Sequence, residues 1–462
     1  MMTNKRVTKV LILLSFLYLS LIGYLTYVEL FQREMLTEHP SNQRNYASED
    51  MARRGAITDI NGIVLAESVN SVRNYPYKGM YAHVIGYNSL QYQRSNIEKT
   101  YNDRLLAENK ITKILGSSKK EYGHNLVLTI DHSIQEYAYE RFGDNKGCVI
   151  AINPKTGAII AMVSKPDFDP NEESLKENWN TLVEDENYPF LARATSGLYA
   201  PGSTFKMLTA LAAVENGYED LTFEDNGKVI IGGKEFENQK GKSYGVIGIN
   251  KGFAESSNVV FGTLGDKLGG RKLINVATRF GFNDIFEFDL EYKSSIFPTD
   301  VKDDAQEAAL AIGQGDMLAT PLQMAMVTCG IANDGVVMKP YLVDRVVSQE
   351  SKIIEKYEPT VLYNAADFSD TTKVVEMMVE TVRSGTGENA KISGIAVAGK
   401  TGTAENEKTD LYSNAQHTWF VSFAPAYDPE IAVVVMMEYS GGSGGGDCAP
   451  VARDIIKKYL KK

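Results

Sequence analysis

The chain has 462 residues, 43% of them hydrophobic, and a formal net charge of −11. That length holds two or three domains with a sizeable core, and that charge excludes a general nucleic-acid binder, which needs a clustered positive surface. Three scattered cysteines (Cys148, Cys329 and Cys448) form no disulfide framework or zinc pattern, and five histidines show no tight ligand spacing, so no metal or cofactor is expected.

From Val10 to Val28 no charged residue occurs. As a helix rising about 1.5 Å per residue, the run spans nearly the whole ~30 Å hydrocarbon core of a bilayer. Lys5, Arg6 and Lys9 precede it, and Glu29, Arg33, Glu34 and Glu38 follow it. The positive-inside rule then predicts a cytoplasmic tail at 1–9, a single-pass cell-membrane anchor at 10–30, and everything later outside. A cleaved signal peptide fits less well, because the run is too long and no small-x-small site follows directly. A buried core helix fits less well, because such a helix seldom lacks a polar face.

After a polar stretch from Phe31 to Asp50, Asn61-Gly62 sits between alternating apolar residues, a hairpin signal. Residues 31–143 mix short strands with polar turns and read as a small accessory domain. At Lys146 the character changes, and 144–462 read as a second domain. Gly147–Ile152 and Ala158–Val163 flank Asn153-Pro154-Lys155-Thr156-Gly157, which predicts two buried strands and a tight turn. Thr204–Val214 is apolar nearly all round and predicts a buried helix, and Pro321–Ala332 predicts another. Thr418–Ala424 and Ile431–Glu438 carry strand-type residues, and Val451–Leu460 an amphipathic helix. Strands at both ends with helices between predict an α+β domain whose sheet joins early and late segments. Ser440–Gly446 lacks the ending of a phosphate loop and reads as a flexible connector.

Three short motifs occur in order: Ser203-Thr204-Phe205-Lys206 (S-x-x-K), Ser256-Ser257-Asn258 (S-x-N) and Lys400-Thr401-Gly402 (K-T-G). Each also has a second copy, at Ser117–Lys120, Ser68-Val69-Asn70 and Lys155-Thr156-Gly157. Context separates them. Ser203 follows Pro201-Gly202 and opens the apolar helix, where unpaired N–H groups and the macrodipole favour developing negative charge. Lys206 lies one turn on, on the same face. Ser117 sits in a polar loop, and Lys155-Thr156-Gly157 fills a turn that its glycine explains. Lys400-Thr401-Gly402 follows Ile395-Ala396-Val397-Ala398 and reads as a strand able to present its edge to an extended peptide. Alone, Ser203 would be an ordinary helix cap; three motifs in order and in fitting contexts point to catalysis.

With these motifs the chain resembles the class B penicillin-binding proteins, single-pass membrane transpeptidases of the bacterial wall. The resemblance covers nearly the whole chain: Arg54-Gly55-Ala56-Ile57-Thr58-Asp59 with Asn61-Gly62, then Leu128-Thr129-Ile130-Asp131 and Gln135, then Ala200–Lys206. It continues through Gly313-Gln314-Gly315 with Thr320-Pro321-Leu322, Val397–Glu405, and Trp419-Phe420. Ser257 is the one departure, at a position the family varies. The resemblance implies a penicillin-binding, serine β-lactamase-like fold: an antiparallel sheet with helices on both sides, after a transmembrane helix and a small β-rich domain. It implies that Ser203 attacks the D-Ala–D-Ala bond of a peptidoglycan stem peptide and forms an acyl-enzyme that cross-links the wall. Lys206 would serve as a base if desolvated or close to another cation, and Lys400 is the candidate cation. Ser256 is the implied proton relay, Asn258 the residue holding Lys206 and the substrate amide, and the backbone N–H groups of Ser203 and Thr403 the oxyanion hole. Thr401, Gly402 and Thr403 with Lys400 would bind the substrate. Implied partners are stem peptides, lipid-linked precursor strands, penicillin and other β-lactams, and a polytopic SEDS-type glycosyltransferase.

The competing readings are a D,D-carboxypeptidase or β-lactamase of the same superfamily, and a non-catalytic scaffold or β-lactam sensor. The anchor and accessory domain favour the transpeptidase. A sensor needs a cytoplasmic domain, and an inactive scaffold would be expected to lack a motif member. About a hundred residues between anchor and second domain are too few for an added glycosyltransferase domain.

Overall fold

Gly147–Ile152 and Ile431–Met437 are buried at every position, the pattern of strands covered on both faces. In the computed structural model, which describes residues 5–32, 54–107, 122–405 and 416–461, they form the middle of a five-stranded sheet. Its order is Ala398–Ala404, His417–Ala424, Ile431–Met437, Gly147–Ile152, Ile159–Lys165, antiparallel throughout. Alternate side chains face opposite ways. Val149, Ala151, Val433 and Val435 pack with Ile134, Ala138 and Ile455 from helices His132–Phe142 and Ala449–Tyr459. Ile150, Ile152, Val434 and Met436 face the larger core, with Met324 and Leu208 from helices Pro321–Ala332 and Lys206–Glu215. Early and late strands thus share one sheet with helices on both sides, the α+β arrangement the sequence predicts. Thr320 caps the helix Pro321–Ala332, its hydroxyl accepting the Gln323 N–H at 3.1 Å, and fixes the predicted boundary.

A helix at Lys5–Tyr27 continues as a wider turn at Val28–Gln32. Over Val7–Tyr27 it is exposed, and it is long and apolar enough to cross a membrane, consistent with a single-pass anchor. Most of the polar stretch that follows, and the second S-x-x-K copy at Ser117–Lys120, lie outside the described residues.

Asn61-Gly62 makes the predicted hairpin between Ile57–Thr58 and Val64–Val69. Gly62 supplies φ +90°, and the buried Asp59 carboxylate accepts the Asn61 and Ile63 N–H groups at 2.9 and 2.7 Å. These strands belong to a six-stranded sheet ordered Ile353–Lys356, Val343–Val347, Asn125–Leu128, Ile57–Thr58, Val64–Val69, Val72–Asn74. Late residues 343–347 therefore complete a sheet begun by the N-terminal region. Beside it, Glu98 accepts from Arg54 Nε at 2.7 Å and from Arg73 Nε at 2.7 Å, all three fully or almost fully buried.

The Gly-rich segment corrects the sequence reading. Gly444–Cys448 is a turn of wide helix rather than a flexible connector, and Gly444 and Gly445 are buried. A Cβ on Gly444 would stand 2.0 Å from the Trp419 carbonyl oxygen, so the glycine is there for close approach.

Candidate active site

Ser203 sits in a 3₁₀ turn, Gly202–Phe205, and the α-helix proper begins at Lys206. The sequence reading placed Ser203 at the α-helix start; the tighter turn intervenes, and its threefold repeat sets residues i and i+3 over one another, here Ser203 and Lys206. Gly202 has φ +53°, and a Cβ there would meet the Thr403 carbonyl at 2.7 Å. The Gly202 N–H donates to the Gly313 carbonyl at 2.9 Å, which gives Gly313-Gln314-Gly315 its place behind the serine. No backbone acceptor for the Ser203 N–H occurs among the described residues.

Lys206 is fully buried. Its Nζ donates to Asn258 Oδ1 at 2.7 Å and to the Ser256 carbonyl at 2.8 Å, and lies 3.4 Å from Ser256 Oγ. Lys400, also fully buried, donates from Nζ to the same Ser256 Oγ at 2.8 Å and to the Thr401 carbonyl at 3.1 Å. One hydroxyl therefore bridges two lysines. Neither has a carboxylate partner among the described residues; aromatic rings of Phe261 and Phe253 lie 5.5 and 5.4 Å away. Burial, and secondarily the Lys400 charge, hold the Lys206 ammonium well below the ordinary lysine range. Burial lowers Lys400 to about 7.

The S-x-N loop is built under tension and clamped. Ser256 adopts φ +59°, a left-handed conformation that costs about 1–3 kcal/mol in a non-glycine residue. Ser257 caps the helix Asn258–Leu268 by accepting the Val260 N–H at 3.0 Å, and donates to the buried Asp225 carboxylate at 2.6 Å. Asp225 also takes two bonds from Asn238 Nδ2, and Asn238 Oδ1 accepts the Asn258 N–H at 2.7 Å. Sequence reasoning missed Asp225 and Asn238: each is an ordinary polar residue in a hairpin region, remote in sequence from the loop it holds. The Ser257 cap was missed as well, although serine is a favoured residue just before a helix.

Lys400-Thr401-Gly402 lies in Ala398–Ala404, the edge strand of the central sheet, as its pattern predicts. A cleft of about 620 Å³ runs along this strand, lined by Ser203, Ser256, Asn258, Thr401 and Thr403 among others. The two other motif copies among the described residues do not line it. Lys155-Thr156-Gly157 fills the turn between two strands of the central sheet with Gly157 at φ +80°, and Ser68-Val69-Asn70 ends a strand of the N-terminal sheet. All three cysteines are buried and free.

A sheet flanked by helices, with S-x-x-K, S-x-N and K-T-G brought to one cleft at its edge, defines a serine enzyme of the penicillin-recognising class. The penicillin binding protein transpeptidase domain matches residues 147–457, and the penicillin binding protein A dimerisation domain matches residues 54–118. The chain is 32% identical to the peptidoglycan D,D-transpeptidase PbpA of Mycolicibacterium smegmatis over 99% of both chains. The solved penicillin-binding protein A of M. tuberculosis, a ceftriaxone acyl-enzyme complex, superposes with a TM-score of 0.83 at 30% identity, covering 89% of this chain and 99% of that one. A D,D-transpeptidase domain from Eggerthella lenta gives 0.80 at 36%, with the same coverage. The chain belongs to the penicillin-binding protein transpeptidase family.

Proposed function

We propose that this protein is a serine-type peptidoglycan D,D-transpeptidase, acylated by the D-Ala–D-Ala end of a stem peptide and covalently inhibited by β-lactams. The observation that carries the reading is Ser256 Oγ bridging two buried lysines in the cleft that Ser203 lines. A lysine held neutral by burial can take the Ser203 proton as Oγ attacks the carbonyl carbon; the C–N bond then breaks, D-alanine leaves with a proton passed through Ser256, and the serine ester remains. Asn258 holds Lys206 in place for that transfer. The Ser203 and Thr403 N–H groups form the oxyanion hole, each donor contributing about 3–4 kcal/mol to the transition state. Thr401, Gly402 and Thr403 with Lys400 receive the substrate's terminal carboxylate and backbone. The acceptor amine reverses the sequence, bringing its own binding energy and orientation.

In this reading residues 10–30 anchor the chain, 31–143 form the accessory domain with helix His132–Phe142 packed on its neighbour, and 144–462 carry the chemistry. The basic residues before the anchor favour a cytoplasmic N-terminus and an extracytoplasmic cleft. Lipid-linked strands made by a polytopic SEDS-type glycosyltransferase are the partner supply. The test is labelling of the full chain with a fluorescent penicillin. Wild type and Ser117→Ala are expected to label, and Ser203→Ala to lose the label entirely; a labelled Ser203→Ala protein overturns the assignment.

A further inference from the structure

Beyond the three motifs, one side chain on the cleft wall is placed to control how the edge strand meets an anion. Thr386 follows the helix Phe368–Ser384 and lines the cleft. Its hydroxyl lies 2.6 Å from the Thr401 hydroxyl and 3.4 Å from the Ala254 carbonyl oxygen, and its own N–H donates to that carbonyl at 3.0 Å. Its carbonyl is crowded by the Gly-rich turn, since a Cβ on Gly445 would stand 2.2 Å from it. The residue thus joins the S-x-N loop, the K-T-G strand and the Gly-rich turn.

Two hydroxyls that touch share only one proton between them. In one arrangement Thr401 donates to Thr386, and Thr386 donates onward to Ala254. Both protons are then used inside the protein, and Thr401 offers an incoming group only lone pairs. In the other arrangement Thr386 donates to Thr401, and the Thr401 proton is free to point into the cleft. The Ala254 carbonyl loses little by this reversal, because the Thr386 N–H already donates to it at the shorter distance. A carboxylate accepts and cannot donate, so it selects the second arrangement; a neutral ester or amide gains less from it. A hydroxyl that accepts one hydrogen bond is also a stronger donor of the next.

We propose that Thr386 is a positioning residue that sets the proton direction of the Thr401 hydroxyl and thereby gives the site its preference for substrates ending in a free carboxylate. The inference rests on the transpeptidase reading above, in which Thr401 meets that carboxylate.

The experiment compares acylation of the detergent-solubilised full chain by benzylpenicillin and by its methyl ester, followed by intact-protein mass spectrometry. Wild type is expected to favour the acid. Thr386→Val is expected to lower the acid-to-ester ratio about tenfold, chiefly by slowing the acid, as for loss of a hydrogen bond serving a charged group. Thr386→Ser keeps the hydroxyl and is expected to stay within about threefold of wild type. Should Thr386→Val not fold, Thr386→Ala is read the same way. An unchanged ratio in the variant lacking the hydroxyl overturns the proposal. So does an equal slowing of both probes, which marks a merely structural residue, or a wild type indifferent to the carboxylate. Wild type unlabelled by benzylpenicillin refutes the transpeptidase reading itself, a result distinct from any of these.

Discussion

Two of the buried charge groups among the described residues are built on opposite plans. In the N-terminal region Glu98 is gripped by Arg54 and Arg73, with the Tyr75 hydroxyl added at 3.2 Å. Burial alone would raise the Glu98 carboxyl, and the two guanidiniums overcome it and hold it below the usual range. In the cleft, Lys206 and Lys400 are equally buried and have hydroxyl, amide and carbonyl oxygens but, among the described residues, no carboxylate. Opposite charges in contact keep ionised groups ionised and hold parts of a fold in register. Like charges buried without a counter-ion are driven towards neutrality, which suits proton transfer.

Lys206→Met gives the largest expected effect of these, a loss of acylation by ~10³-fold or more, because among the described residues no other side chain is placed to take its part. The same change leaves the melting temperature close to that of wild type, since methionine refills the buried volume and the loss is confined to hydrogen bonds with the Ser256 carbonyl and Asn258. Penicillin labelling beside thermal unfolding reads both; a large loss of stability would erase the contrast. Glu98→Gln is expected to do the reverse. Stranding two buried guanidiniums costs about 3–5 kcal/mol, read from the urea midpoint, while the folded fraction acylates at the wild-type rate. A stable Glu98→Gln protein would break the comparison from the other side.

The smallest expected effect is a slope. Lys400 titrates at about 7 in the fold against an ordinary 10.5. Between those values the unfolded chain binds a proton that the folded chain has released, so stability rises with pH, by at most about 1.4 kcal/mol per pH unit. Below about 7 the penalty of burying the charged form is fully present. Lys400→Met flattens the rise between pH 7 and pH 9 in urea unfolding, and an unaltered slope would mean that Lys400 is not the group responsible.

Legibility followed distance along the chain. The helix Pro321–Ala332 was readable to the residue because its cap and its apolar run adjoin. The central strands were readable because both faces are buried, so apolar residues run without interruption. Ser203, Lys206, Ser256, Asn258 and Lys400 came from motif order together with local context, and the fold brings all five to one cleft or its wall. Asp225, Asn238 and Thr386 left no such trace, since each acts on residues far away in sequence and none has an unusual neighbourhood of its own. Gly444 and Gly445 were misread for a related reason: composition records that glycines are present, whereas their purpose lies in the backbones of Trp419 and Thr386, which press against them.

The strand Asn125–Leu128 has Ile57–Thr58 on one side and Val343–Val347 on the other. During synthesis its second neighbour does not exist until the ribosome has passed Val347, which at the usual pace of translation means a wait of ~10–40 s. For that interval the nascent chain carries an open row of backbone donors and acceptors, the kind of edge on which chains pair wrongly. A premature stop before residue 343 would make that exposure permanent, so shortened chains are expected to be cleared by proteases or to aggregate even though their N-terminal sequence is complete.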